Sequence, residues 1–334
     1  MRKFYIISFL IVFASACQTH NPDASVQELP SGRYIFIDAE VAGTKADNRL
    51  NQLPGQGNTS FCVFGFRPDN TTPIFDMYSQ GVNSAFDNVA VMYRNGLNRP
   101  FMYDGLALWH GGEHKFYGFY YAHRNKDDYK YDLISDMSAS PDPYITYNQP
   151  STIEGMIDIM TASKSANPSD GPVVLSFDHR LFALDVIVRN DQVVSTPLKI
   201  TSAKIEFFNI ASEADLYFNG NVVNRGNISP THTYDVTDQN INKGGRYNLN
   251  DGTSFLLIPC TSLKIRITID IIDEWGLSKE IVIDRSTDEQ ALRPDGGFVA
   301  GNIYELTIAK KSGEIEFEYE VQDWYTKDVN MDFN

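Results

Sequence analysis

No window of twelve or more residues in this sequence carries an apolar stripe at helical spacing. What recurs instead are short apolar or alternating runs rich in β-branched and aromatic residues, separated by Gly, Asn, Asp and Pro. They are Tyr34–Val41, Ser60–Phe66, Val89–Tyr93, Lys115–Ala122, Pro172–Phe177, Leu181–Val188, Lys199–Asn209, Ser254–Ile258, Leu263–Ile272, Ile281–Ile283, Ile303–Ala309 and Glu314–Val321. Such a chain is all-β. Ser151 to Ala162 is the best helix candidate, with Ser151 and Glu154 in a capping-box pattern, though a strand around Met156–Met160 reads equally well. Antiparallel strands joined by short turns stack most simply face to face. With 334 residues, about two domains are expected, hence two β-sandwiches in tandem. Periodicity is lost between Val188 and Leu198, so the expected units are 33–192 and 193–334, with a break near Lys164–Pro172 as the alternative.

Two runs have the strict alternation of half-buried strands. In Tyr34–Val41 the side chains of Ile35, Ile37, Ala39 and Val41 share one face and Asp38 and Glu40 the other. In Glu314–Val321, Ile315, Phe317, Tyr319 and Val321 point inward and four glutamates outward. Burying four such side chains is worth about 6–12 kcal/mol before entropy is subtracted.

Met1-Arg2-Lys3, an apolar stretch from Phe4 to Phe13 and the small residues Ala14-Ser15-Ala16 form a secretory signal over 1–16. Its apolar part is too short to cross a bilayer, which takes about twenty residues as a helix. Cys17 follows the small residues as the lipid attachment point of a bacterial lipoprotein; plain secretion with an unrelated cysteine is the alternative. Residues 17–32 read as a tether. Cys62 and Cys260 then remain, each in an apolar setting at a strand end, as small buried groups rather than a disulfide.

The formal charge is −15, from 28 basic and 43 acidic residues, with no offsetting Lys/Arg cluster. Nucleic acid is a poor partner for such a field, and the membrane is reached only through the lipid anchor. Catalytic constellations are scarce. His110-Gly-Gly-Glu113-His114 lacks the helix that a zinc-protease pair needs and reads as a turn. His179 reads as a core or sheet-edge histidine, and the carboxylates Asp270, Asp273 and Glu274 as chance neighbours in an acidic chain. No phosphate loop or nucleophile elbow occurs. No enzyme, metal or cofactor is expected. Tyr117, Tyr120, Tyr121, Tyr129 and Tyr131 are the best pointer to a binding surface, although alternating strands expose aromatic residues without any ligand.

The order of signal, tether, first strand, Ala42-Gly43-Thr44-Lys45-Ala46 and Phe61-Cys-Val-Phe-Gly-Phe66 resembles the fimbrillin-like family of Bacteroidetes surface proteins, the type V pilins and their relatives. Trp109, Phe116-Tyr-Gly-Phe-Tyr-Tyr121, Leu175-Ser-Phe-Asp-His179 and Gly301-Asn-Ile-Tyr-Glu-Leu306 leading to Val321-Gln-Asp-Trp324 extend the likeness over nearly the whole chain. The resemblance implies two transthyretin-like β-sandwich domains and export as a lipoprotein. It also implies a cut after a basic residue past the first strand, which opens a groove for a strand of the next subunit. Here the displaced strand is Tyr34–Val41, with Tyr34, Ile35, Phe36, Ile37, Ala39 and Val41, and the cut follows Lys45, where the family commonly has Arg, or else Arg49. The donor is Glu314–Val321, through Ile315, Phe317, Tyr319 and Val321, or the tail Trp324–Phe333, which has fewer apolar positions and poorer alternation. A weak donor suits a tip or accessory subunit. The function expected is that of a cell-surface pilus subunit or tip adhesin whose partners are other fimbrial subunits and a surface glycan or protein. The rival is a monomeric outer-membrane lipoprotein that binds glycans.

Overall fold

The computed structural model describes residues 34–41, 60–69, 89–93, 101–102, 107–121, 143–193, 195–234, 236, 239–250, 253–272, 275–312 and 315–323. These residues form an all-β protein. The first half contributes β1 (Ile37–Val41), β2 (Ser60–Phe66), β3 (Val89–Tyr93), β4 (Phe101–Met102), β5 (His114–Tyr121), β6 (Tyr144–Asn148), β7 (Ile159–Ala166), β8 (Val173–His179) and β9 (Phe182–Asn190). The second half contributes β10 (Leu198–Phe208), β11 (Glu213–Tyr217), β12 (Val222–Arg225), β13 (Thr231–Tyr234), β14 (Gln239–Ile241) and β15 (Arg246–Asn248). It ends with β16 (Phe255–Leu257), β17 (Lys264–Ile272), β18 (Ser278–Arg285), β19 (Asn302–Lys310) and β20 (Ile315–Asp323).

Seven strands form the first sheet in the order β1-β8-β7-β5-β2-β3-β4. Its side chains alternate between two cores. Phe61, Val63, Phe116, Tyr120, Met160, Leu175 and Phe177 face one way, into a small cluster of their own. Cys62, Phe64, Tyr117 and Phe119 face the other way, into the main core that they share with the second half of the chain. Phe64 and Tyr117 meet Phe218 at ring centroids 5.4 and 5.6 Å apart, which welds the sheet to the loop after β11.

Two further sheets close around the main core, β13-β10-β17-β18 with β14 beside β10, and β15-β9-β19-β20 with β16 beside β9. A three-stranded sheet, β12-β11-β6, lines a third side. The expected antiparallel pairing holds for most neighbours, but β1 runs parallel to β8 and β9 parallel to β19. Both β9 and β19 are buried on both faces, which explains their nearly unbroken apolar runs. A bulge between Ile200 and Ser202 lets β10 keep its core face: Leu198 and Ile200 point inward before it, Ala203, Ile205 and Phe207 after it.

The helix candidate is corrected. Residues 153–155 make one 3₁₀ turn, no side chain caps it, and Ile159–Ala166 is a strand. The apolar residues there are claimed by pairing with β5, a tertiary demand that outweighs a capping pattern. The expected division at 192/193 also differs from sheet membership. β9 pairs with β15, β16 and β19, and β6 already pairs with β11, so strands from before residue 193 enter the sheets of the second half.

Candidate functional site

β1 sits at the edge of the seven-stranded sheet. Its register on β8 runs from Ile37 opposite Val173 to Val41 opposite Phe177, and the Val173 N–H donates to the Phe36 carbonyl at 2.8 Å. Burial alternates from Tyr34 to Glu40, with Ile35, Ile37 and Ala39 fully inside. They pack into the smaller cluster with Phe61, Val173, Leu175 and Phe177; Phe61 and Phe177 meet edge to face at 5.1 Å. On the solvent side the Ser176 hydroxyl donates to the Glu40 carboxylate across the pair, at 2.5 Å. The side chain of Val41 lies outside the described residues.

Opposite β8, only the beginning of this segment is held. Tyr34 bridges Leu108, and the Ile35 N–H donates to the Ala107 carbonyl at 2.9 Å. From Ile37 to Val41 no described strand hydrogen-bonds to β1 besides β8, although β4, the other end of the same sheet, lies close to β1. Sequence reasoning missed this clasp, since nothing in Ala107-Leu-Trp109 alternates. It is stiffened by the turn that follows. The His114 Nδ1–H donates to the Gly112 carbonyl at 2.9 Å, and the His110 N–H donates to His114 Nε2 at 3.2 Å. Trp109 lies edge-on to His114 and Phe116, at 5.0 and 5.7 Å. Burial holds the His114 pKa below 6.5, helped by the nearby charges of His110 and Arg67 against the Gly112 hydrogen bond. The motif His110–His114 is therefore a structural turn. Among the described residues no three His, Cys, Asp or Glu side chains converge on a metal position.

The other sequence candidates fall in different places. β20 pairs along its whole length with β19, and its register puts Ile315, Phe317, Tyr319 and Val321 on the side of Ile308, Leu306 and Tyr304. The inward expectation needs correction, because β20 is an edge strand: Ile315 and Val321 are 40% and 44% exposed, and only Phe317 packs against the core. The Tyr319 side chain lies outside the described residues, as do Cys17, Lys45, Arg49 and the tail 324–333. β1 and β20 belong to different sheets. Tyr117 and Tyr120, read as a possible binding surface, are core residues facing opposite sides of the sheet. Burial first, and the Asp158 carboxylate second, push the Tyr120 phenol up. His179 pairs with Asp158 at 2.9 Å. Cys62 and Cys260 are free thiols, the first buried and the second half-buried. Asp270 accepts from the Ser202 hydroxyl; Asp273, Glu274, Tyr129 and Tyr131 lie outside the described residues.

The fimbrillin-like family model matches residues 44–324, and the chain belongs to that family. A search of curated proteins gives no match. The fold is similar to that of a fimbrial protein from Bacteroides vulgatus, at 16% identity and TM-score 0.61, over 87% of this chain and 99% of the other. Also similar is a C-terminally truncated tip fimbrial protein, Mfa3, from Porphyromonas gingivalis, at 10% identity and TM-score 0.40, over 87% of this chain and 99% of the other. Family membership puts the chain among the fimbrial and adhesion proteins of the cell surface.

Proposed function

We propose that this chain is a fimbrial subunit or tip adhesin that joins its neighbour by exchange of β1, after export as a lipoprotein on Cys17. The observation that carries the reading is the position of β1: terminal in its sheet, paired along one side, and seated by Ile35, Ile37 and Ala39 in a cluster separate from the main core. Its loss would open an apolar slot over Val173, Leu175 and Phe177 while leaving the larger core closed. A strand with apolar residues at every second position refills such a slot, with main-chain bonds supplying affinity. A donor entering antiparallel to β8 would replace a parallel ladder with the slightly more stable kind, which favours exchange in one direction.

Cleavage after Lys45, or after Arg49, would free β1. The donor has to come from another copy or another subunit. β20 is engaged by nine residue pairs with β19, so its release would be costly and donation falls to the tail Trp324–Phe333. Limited digestion at Lys45 followed by native electrophoresis tests the proposal. A ladder of oligomers is expected; a species that remains monomeric after the N-terminal segment has been cut would refute it. Mass spectrometry of the mature protein should find lipid on Cys17 and a second form starting at Ala46.

A further inference from the structure

One cavity, of about 390 Å³, opens at an end of the second half of the molecule. Its walls are the segments 208–211, 224–227 and 257–263, strand ends of β10, β12 and β16 with the connections that follow them, together with Phe182 at the start of β9, and none belongs to the seven-stranded sheet. Loops gathered at one end of a sandwich are where such folds place variable binding groups. These loops are held in shape by backbone pairing. Ile210 and Ile228 exchange hydrogen bonds at 3.0 and 2.9 Å, and Cys260 and Phe298 at 3.1 and 2.7 Å. Asn209 has φ +56°, and at Gly226, φ +57°, a Cβ would lie 2.3 Å from the Ser212 hydroxyl oxygen, so the backbone bends here at defined points. The Asn227 amide, oriented to satisfy both its ends, ties the carbonyls of Gly226 and Asn209 together.

Apart from Arg225, the polar groups around this cavity are neutral and have capacity to spare. Asn224 uses one N–H on the Pro259 carbonyl at 2.9 Å, leaving its Oδ1 and its second N–H. The Asn209 amide and the Thr261 and Ser262 hydroxyls line the same space; the Asn209 backbone is engaged, its N–H on the Ser229 hydroxyl and its carbonyl by Asn227, while its side-chain amide has no hydrogen bond among the described residues. Arg225, the cation at the rim, is already paired with Glu213 and Asp215, so it offers little to an anion. Burial pushes the Cys260 thiol up to about 11, which removes a nucleophile from the lining. Half-buried Phe208, Ile210 and Ala211 supply the apolar part of the lining. Amides and hydroxyls that donate and accept, above an apolar floor and without a usable charge, match the hydroxyl-rich edge and C–H face of a sugar ring.

We infer that this cavity is a binding site for a neutral monosaccharide unit, held by Asn209, Asn224, Thr261 and Ser262. It gives the adhesin reading a ligand class and stands separately from strand exchange, because its walls do not include β1.

The test is ligand-observed saturation-transfer NMR on the full chain, with the methyl glycosides of galactose, mannose, N-acetylglucosamine and fucose, and a methyl sialoside as the anionic probe. At least one neutral glycoside should receive saturation. Its affinity should fall at least tenfold in Asn224→Ala combined with Thr261→Val. Both residues are exposed, so the fold should survive, as an unchanged circular dichroism spectrum and Tm would check. Asn240→Ala, beside the opposite end of β10, should leave binding unaltered. The inference is overturned if no neutral glycoside responds, if only the sialoside does, or if the double variant binds as the parent does.

Discussion

Gly118 shows how a single residue shapes the slot for β1. A Cβ there would stand 2.8 Å from Phe177 Cζ and 2.9 Å from Leu175 Cδ1, so the missing side chain is what allows β8 to lay those two residues over β5. Gly118→Ala should therefore cost about 1–3 kcal/mol, the usual range for an overfilled site, in a urea titration. His114 makes a second residue-scale claim. In the fold both ring nitrogens are used, Nε2 as an acceptor, and the pKa lies below the ordinary 6.5. The unfolded chain thus takes up the proton first. Stability from this group is complete above about pH 6.5 and is lost as the pH falls from there through the lower folded value. Equilibrium unfolding at pH 7 and pH 5 should show a steeper loss in the parent than in His114→Gln. Little of this could be read from the sequence. The aromatic run 116–121 was legible as a strand, but the tyrosines within it gave no sign that both sheet faces are covered.

At the scale of elements, alternation was a faithful guide only where one partner strand suffices to explain it. Ser60–Phe66 and Val89–Tyr93 were found with their observed bounds, and Ile35, Ile37 and Ala39 of the expected inward set of β1 are buried. β11 to β15 were missed, since strands of three to five residues with polar side chains depend on neighbours far along the chain. In β20 the pattern was right and the burial was not, because among the described residues no strand pairs along its outer edge. The two alternating strands should consequently respond differently. Ile37→Ala should destabilise by about 2–4 kcal/mol, as a buried truncation does. Val321→Thr should stay within about 0.5 kcal/mol, as an exposed change does. Both values are read from the midpoint and slope of chemical denaturation.

For the molecule as a whole, the decisive arrangement is that four sheets share one large core while β1 belongs to a small one behind the first sheet. Stacked β-sheets were legible from strand count and turn spacing. The way the first sheet lends one face to the second half was not, because contacts such as Phe64 to Phe218 join residues with no shared periodicity. On the proposal, the same separation of cores lets β1 leave without unfolding the rest, and this is the claim most open to a direct check. Asp38 and Val174 are paired on the solvent side of β1 and β8, so Asp38→Cys with Val174→Cys can tether the strand covalently. After cleavage at Lys45, native electrophoresis of the oxidised double variant should show monomer only, and reduction should restore the ladder expected of the parent. A ladder formed while the tether is intact would contradict the account.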